Sequence, residues 1–229
     1  MARIGNFELS PTQTVVDSRT EFLLGRVRRL IRITTFLTRF ADKADFVQQV
    51  AALEKELERF DRGDTDLSIR EGRFFKGRRR KWTLTCDETR CLAVGNLEAL
   101  TDDRYERSET LSTENAILAS SPQEIPLTVA GNWPALPILT LAATGALDSP
   151  VFTVGSMALT VAVTMAAGEV LTLDCEERTA DLAGTNVLHS VSGDFPELPP
   201  GSPILTYTDS SPGGPDATLA VSWRDRWVG

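Results

Sequence analysis

Asp174, Glu176, Glu177 and Asp181 form a tight group of acidic side chains in the sequence. On an extended strand Asp174 and Glu176 share a face while Glu177 points the other way. Carboxylates so placed suit a hard cation with oxygen ligands or the paired acids of glycoside hydrolysis. Neither chemistry has a supporting motif, so a solvated strand end is the expected reading. His189 is the one histidine and precedes Ser190. Neighbours along a strand face opposite ways, so these two make no nucleophile and base. Cys86, Cys91 and Cys175 are odd in number and spaced unlike a zinc module. They argue for a reducing compartment and against a disulfide scaffold.

No G-x-S-x-G, G-x-x-x-x-G-K-[ST] or H-E-x-x-H segment occurs. The run Ser211–Asp216 is glycine-rich, but its two prolines remove the N–H donors a phosphate cradle needs. The expectation is a protein without catalytic residues, cofactor or metal. One anomaly remains, Arg73-Phe-Phe-Lys-Gly-Arg-Arg-Arg-Lys-Trp82, where six basic residues interleave with three aromatics. Such a ribbon could grip a polyanion. The chain as a whole is acidic, with 24 Lys and Arg against 32 Asp and Glu. The first choice is therefore a ribbon that meets acidic surface on itself or on a neighbouring copy. Arg73, Lys76, Arg78, Arg79, Arg80 and Trp82 are its candidate interface residues.

These residues sit on two contrasting halves. Residues 1–110 hold 21 of the Lys and Arg against 19 Asp and Glu; residues 111–229 hold 3 against 13. At 229 residues the chain suits two modest domains, and the charge step places their meeting around Arg107–Ser121. The domains expected are 1–112 and 113–229. The longest uncharged stretches, Ile125–Leu147 and Ser149–Gly168, are rich in Thr and Gly and the first holds three prolines. A membrane span needs about 20 predominantly apolar residues, so buried strands are expected there and no span. The N-terminus carries Arg3 and no apolar core of a signal peptide.

In the first half Phe46, Val47, Val50, Leu53, Leu57 and Phe60 recur at helical spacing, which predicts an amphipathic helix over residues 44–60. Asp42 is its N-cap and Gly63 closes it. The β-branched run Leu30–Leu37 predicts a strand. Asp66–Arg70 and Arg73–Cys86 read as paired strands about Glu71-Gly72, with a bulge or bend at Gly77. Arg90–Val94 and Leu97–Leu100 read as a hairpin about Gly95-Asn96. The second half is nearly all strand by pattern, at Leu127–Ala130, Ile138–Ala142, Val151–Val154, Ala158–Thr164, Val170–Cys175, Ile204–Thr208 and Thr218–Trp223. Gly and Pro punctuate them, the pattern of a β-sandwich or jelly roll.

A strand, an amphipathic helix, the ribbon and then an all-β half resemble the distal tail protein family of long-tailed phages. Four segments of the second half carry the likeness further: Gly168-Glu-Val-Leu-Thr-Leu-Asp174, Leu182-Ala-Gly-Thr-Asn186, Phe195-Pro-Glu-Leu-Pro-Pro-Gly201 and Ala220-Val-Ser-Trp-Arg-Asp-Arg-Trp227. Ser202 departs from the Asn that often follows Pro-Gly in the family. The resemblance implies a mainly β protein with one or two helices: an α+β N-terminal ring domain and a C-terminal galectin-like β-sandwich. It implies a homohexameric ring at the virion tail tip, made in the host cytoplasm. That ring would join the tail-tube protein to tip, hub or tail-fibre proteins, with nucleic acid only as genome passing through the lumen. It implies no enzyme. The competing reading is a carbohydrate-binding sandwich that contacts host-surface glycans. Such sites stack an aromatic ring on the sugar, and Trp133, Trp223 and Trp227 are the tryptophans of the second half. Trp133, between Asn132 and Pro134, reads as a packed corner.

Overall fold

Asp42 starts the helix of the first half as its sequence predicts. In the computed structural model its Oδ1 accepts a hydrogen bond from the Asp45 amide at 2.9 Å, and its carbonyl accepts one from Phe46. The structure describes the chain except residues 1, 5–6, 10–13, 24–25, 38–41, 62–64, 88, 91, 102–104, 212–213 and 229. Gly63 and Cys91 therefore lie outside the described residues, as do the side chains of Phe60 and of residues 78–80. The chain divides into two units, Met1–Glu109 and Thr110–Val228.

The first unit comprises β1 (Ala2–Ile4), β2 (Phe7–Leu9), β3 (Thr14–Leu23), β4 (Arg26–Leu37), α1 (Lys43–Asp61), β5 (Thr65–Arg70), β6 (Arg73–Asp87), β7 (Leu92–Thr101) and β8 (Glu106–Ser108). The strands lie in the order β2-β1-β5-β6-β7-β4-β3, with β8 also against β6. Phe46, Leu53 and Leu57 of α1 are buried in one cluster with Ile31 and Ile33 of β4, Phe75 of β6 and Leu97 of β7. Val47 was expected in that stripe but is 49% exposed. It lies about 100° round the helix from Phe46, beyond the edge of the covered face.

Three readings of this half need correction. The strand expected at Leu30–Leu37 begins at Arg26, and β3 precedes it, paired along its length. The bulge is not at Gly77, which pairs in register with Thr65. It falls between Arg79 and Lys81, so Arg80 is the extra residue against β7. Gly95-Asn96 is not a turn; β7 runs through it. A Cβ at Gly95 would stand 3.2 Å from Thr35 Cγ2 and 3.8 Å from Leu53 Cδ2. Glycine serves there as clearance under the helix.

The second unit comprises β9 (Ser112–Leu118), β10 (Gln123–Pro126), β11 (Ile138–Ala143), β12 (Leu147–Asp148), β13 (Val151–Val154), β14 (Met157–Val161), β15 (Thr164–Met165), β16 (Val170–Asp174), β17 (Thr179–Leu182), β18 (Thr185–Asn186), β19 (Val191–Gly193), β20 (Ile204–Thr208), β21 (Ala217–Trp223) and β22 (Arg226–Trp227). One sheet has the order β10-β20-β13-β14-β19 and the other β18-β17-β16-β11-β21-β9, with a β12-β15 pair beside them. Alternate residues point inward, among them Leu139 and Leu141, Leu171 and Leu173, Phe152, and Leu205 and Tyr207. Both sheets contribute to one core, which makes the unit a β-sandwich.

Val151–Val154 and Ile204–Thr208 form strands with the expected bounds. The strand expected over Ala158–Thr164 stops at Val161, where the Val163 amide turns back onto the Val161 carbonyl at 2.9 Å. Leu127–Ala130 is not a strand. It meets the Leu198–Pro203 segment through one isolated bridge, Val129–Gly201, because Pro199, Pro200 and Pro203 have no N–H to extend a ladder.

Candidate interface surfaces

The acidic group dissolves into turn chemistry. Asp174 Oδ1 accepts the amides of Glu176 and Glu177, both at 2.9 Å, and closes the hairpin between β16 and β17. Asp181 Oδ1 accepts the Gly184 amide at 2.7 Å and closes the next turn. Glu176 pairs with the buried Arg226 at 3.0 Å. These carboxylates hold backbone and a guanidinium, the ordinary use of Asp at turns. Among the described residues no group of three or more His, Cys, Asp and Glu side chains is placed to hold a metal.

His189 lies in a 3-10 turn, Leu188–Ser190, and not on a strand. It is exposed. Cys175 is buried, and its thiol is pushed up to about 12 by burial, with Asp174 and Glu197 adding negative potential. An inert core thiol results, since the thiolate is the reactive form. Of the Ser211–Asp216 run, Pro212 and Gly213 lie outside the described residues.

The basic ribbon occupies β6, and its residues do not share one environment. Arg73 is half-buried and stands 4.0 Å from the buried carboxylate of Glu106, which Arg70 meets at 3.4 Å. Lys76 is exposed opposite Asp66 of β5. Arg78 and Arg79 pair with Leu100 and Ala99 of β7, and Arg80 is the bulge. Trp82 is half-buried and packs on the cluster beneath α1. Before the bulge Phe75 and Gly77 are buried; after it Trp82 and Leu84 take the inner side. The extra residue has reversed the alternation, which sequence spacing alone does not reveal.

A clasp at the end of the second unit escaped the sequence reading. Gly131 approaches Arg226 so closely that a Cβ would lie 2.2 Å from its carbonyl oxygen. The amides of Asn132 and Trp133 donate to that same carbonyl. Asp225 Oδ1 accepts from the Ala130 amide at 3.0 Å and from Trp223 Nε1 at 3.2 Å. The closing segment Ala220–Trp227 thus works as an anchor on Ala130–Trp133. Trp133 itself is 43% exposed, more open than a packed corner.

The outer faces of the sandwich carry rows of small, polar and apolar side chains, with Glu124 and Asp181 at row ends. Val170, Ala142, Thr218 and Ile117 stand side by side across one sheet, with Thr172, Thr140, Ala220 and Asn115 in the next row. Thr206, Thr153 and Ala158 form a row on the other sheet. No aromatic ring stands among the outward positions of these strands, and Trp223 is buried.

Residues 130–227, inside the second unit, match the family model "siphovirus-type tail component, C-terminal domain". No curated protein sequence matches the chain. Among solved structures it is similar to the Dit protein (gp 19.1) of SPP1, described as a paradigm of the hub adsorption apparatus in phages infecting Gram-positive bacteria. That likeness has a TM-score of 0.61 at 11% identity and covers 98% of this chain and 91% of that one. The second unit thus matches a siphovirus-type tail-component C-terminal domain, and the chain shares the Dit fold over nearly its whole length.

Proposed function

We propose that the chain builds a structural ring at the tail tip, joining the tail tube to the tip or hub proteins. The observation that carries this reading is a match to a tail-component domain on a chain that takes the Dit fold over nearly its whole length. In this reading the first unit closes the ring, most simply a hexamer, and the galectin-like second unit stands outside it. Genomic DNA passes through the lumen. The assembled protein resides in the virion after synthesis in the host cytoplasm. The charged positions of β6, Arg73, Lys76, Arg78, Arg79 and Arg80, supply the contact between copies, with Trp82 bracing the strand from its inner side. Arg suits this role because its fork binds carboxylates bidentately. No nucleophile and base are required, and the chain acts without catalysis or cofactor.

Cryo-EM class averages of the purified chain, with light scattering on the same sample, test the reading. Closed rings of one stoichiometry are expected. A monomer at every salt and protein concentration would overturn it. The carbohydrate-binding alternative has less support, because an aromatic platform for sugar is missing from the outward strand positions described. Specific glycan-array binding by the full chain, lost in Trp133→Ala, would restore it.

A further inference from the structure

We infer that β9 is a docking edge that takes an extended, basic segment of another protein as an added antiparallel strand. β9 lies at the end of its sheet, paired through all seven residues with β21 and without a bulge. Natural edges are blunted by Lys, Pro, bulges or covering loops. Ser112–Leu118 contains no Lys or Pro, and Thr113, Glu114, Asn115 and Ile117 are all exposed. Ile117 is 77% exposed, the most open large apolar side chain among the described residues.

The direction of the free backbone is fixed by Gln123. Its Nε2 donates to the Ile117 carbonyl at 2.8 Å, and its Oε1 accepts the Ala119 amide at 3.0 Å. A side-chain amide thus occupies the first position of a further strand. Because peptide groups alternate along an antiparallel edge, those of Thr113 and Asn115 point the same way as Ile117's. Thr113 Oγ1 lies 3.1 Å from Ser222 Oγ, close as in a non-hydrogen-bonded pair, which agrees with that parity. Only another extended backbone offers donors and acceptors at this spacing, the mode of β-strand addition. Ile117 supplies an apolar anchor beside it.

Charge selects the occupant. The unit carries 3 Lys and Arg against 13 Asp and Glu, so two β9 edges of this chain repel each other. A segment bearing Lys or Arg is drawn in. The inference stands apart from the ring reading, and either can fail without the other.

The test selects a displayed random-peptide library on the immobilised full chain and titrates the enriched synthetic peptides. Asn115→Pro removes an N–H that does not serve the β21 ladder, so the sheet should persist. Ile117→Lys removes the anchor. Enriched peptides should be β-branched and basic, and should bind the wild type at least about tenfold more tightly than either variant. Light scattering should give the free wild type and Asn115→Pro the same mass. Failure to enrich any peptide, acidic consensus sequences, or binding unchanged in both variants would overturn the inference. A smaller mass for Asn115→Pro would overturn it too, by making a second copy the occupant. Should Asn115→Pro fail to fold, the Ile117→Lys titration decides.

Discussion

The side-chain amide of Asn132 makes the two hydrogen bonds that a neighbouring strand would give Val228. Its Nδ2 donates to the Val228 carbonyl at 2.9 Å, and its Oδ1 accepts the Val228 amide at 2.7 Å. A turn residue thereby extends the clasp around Arg226 by one step toward the C-terminus. Replacing Asn132 with Ala should cost about 1–2 kcal/mol, the worth of two partly exposed hydrogen bonds. Urea unfolding checks the magnitude. Hydrogen exchange should show the Val228 amide losing protection first, while the Leu141 amide in the core keeps it.

Gly131 and Gly95 predict an order of severity. A methyl at Gly131 meets backbone at 2.2 Å, which cannot give way, whereas at Gly95 it meets the Thr35 methyl at 3.2 Å. Gly131→Ala should cost about 3 kcal/mol and Gly95→Ala about 1 kcal/mol, by overpacking. Thermal unfolding of the two variants side by side tests the order; equal midpoints would contradict it.

Cys175 and Cys86 should part in reactivity. The Cys175 thiol is pushed up to about 12 by burial, while Cys86 is exposed. Site-resolved alkylation at mild alkaline pH should label Cys86 and spare Cys175 until urea opens the fold. Because the folded state holds this acid protonated, its contribution to stability is complete below pH 9 and is lost as pH rises from there toward about 12. The urea midpoint of the wild type should fall through that range, and fall less in Cys175→Ala.

The β6 arginines predict a defect of assembly. A cyclic contact is repeated at every interface, so one flaw is copied around the ring. Changing Arg78, Arg79 and Arg80 together to Glu should leave a folded chain that does not form rings. Wild-type rings should weaken with salt, since exposed pairs are screened over about 10 Å at roughly 0.1 M. A nucleic-acid role would instead leave rings intact and remove DNA affinity, with a salt slope set by the phosphates neutralised. Light scattering and a DNA titration on the same variant separate the two.

Residues 113–229, expressed alone, should be a soluble and cooperative β monomer, because the sandwich core draws on its own two sheets and the fragment exceeds about 100 residues. A single sharp urea transition followed by circular dichroism is the expected result. A fragment without one would mean that its core depends on the first unit.

What the sequence determined by itself was the local alternation. Val151–Val154 and Ile204–Thr208 were legible to the residue because short runs of β-branched, aromatic and apolar residues are bounded by Pro150 and Gly155 and by Pro203 and Asp209. The helix was equally legible from Phe46, Leu53 and Leu57, and the turn at Glu71-Gly72 from its glycine, whose φ is +72°. The pairing was decided only in three dimensions. β13 lies between β14, its neighbour in the chain, and β20, some fifty residues on. β9, read as part of the junction, becomes a strand through β21, a hundred residues away. Gly95 and Gly131 are both followed by Asn in the sequence. Gly95 proved to be clearance for the Thr35 methyl and Gly131 for the Arg226 carbonyl, because a glycine in the sequence does not say which distant atom comes close. The acidic group failed as a site for the same reason: four carboxylates along a strand say nothing of which amide or guanidinium the folded chain will turn toward them. Periodicity is written by nearest neighbours along the chain, whereas partners are chosen by whichever distant segment buries the apolar face and satisfies the peptide groups at once.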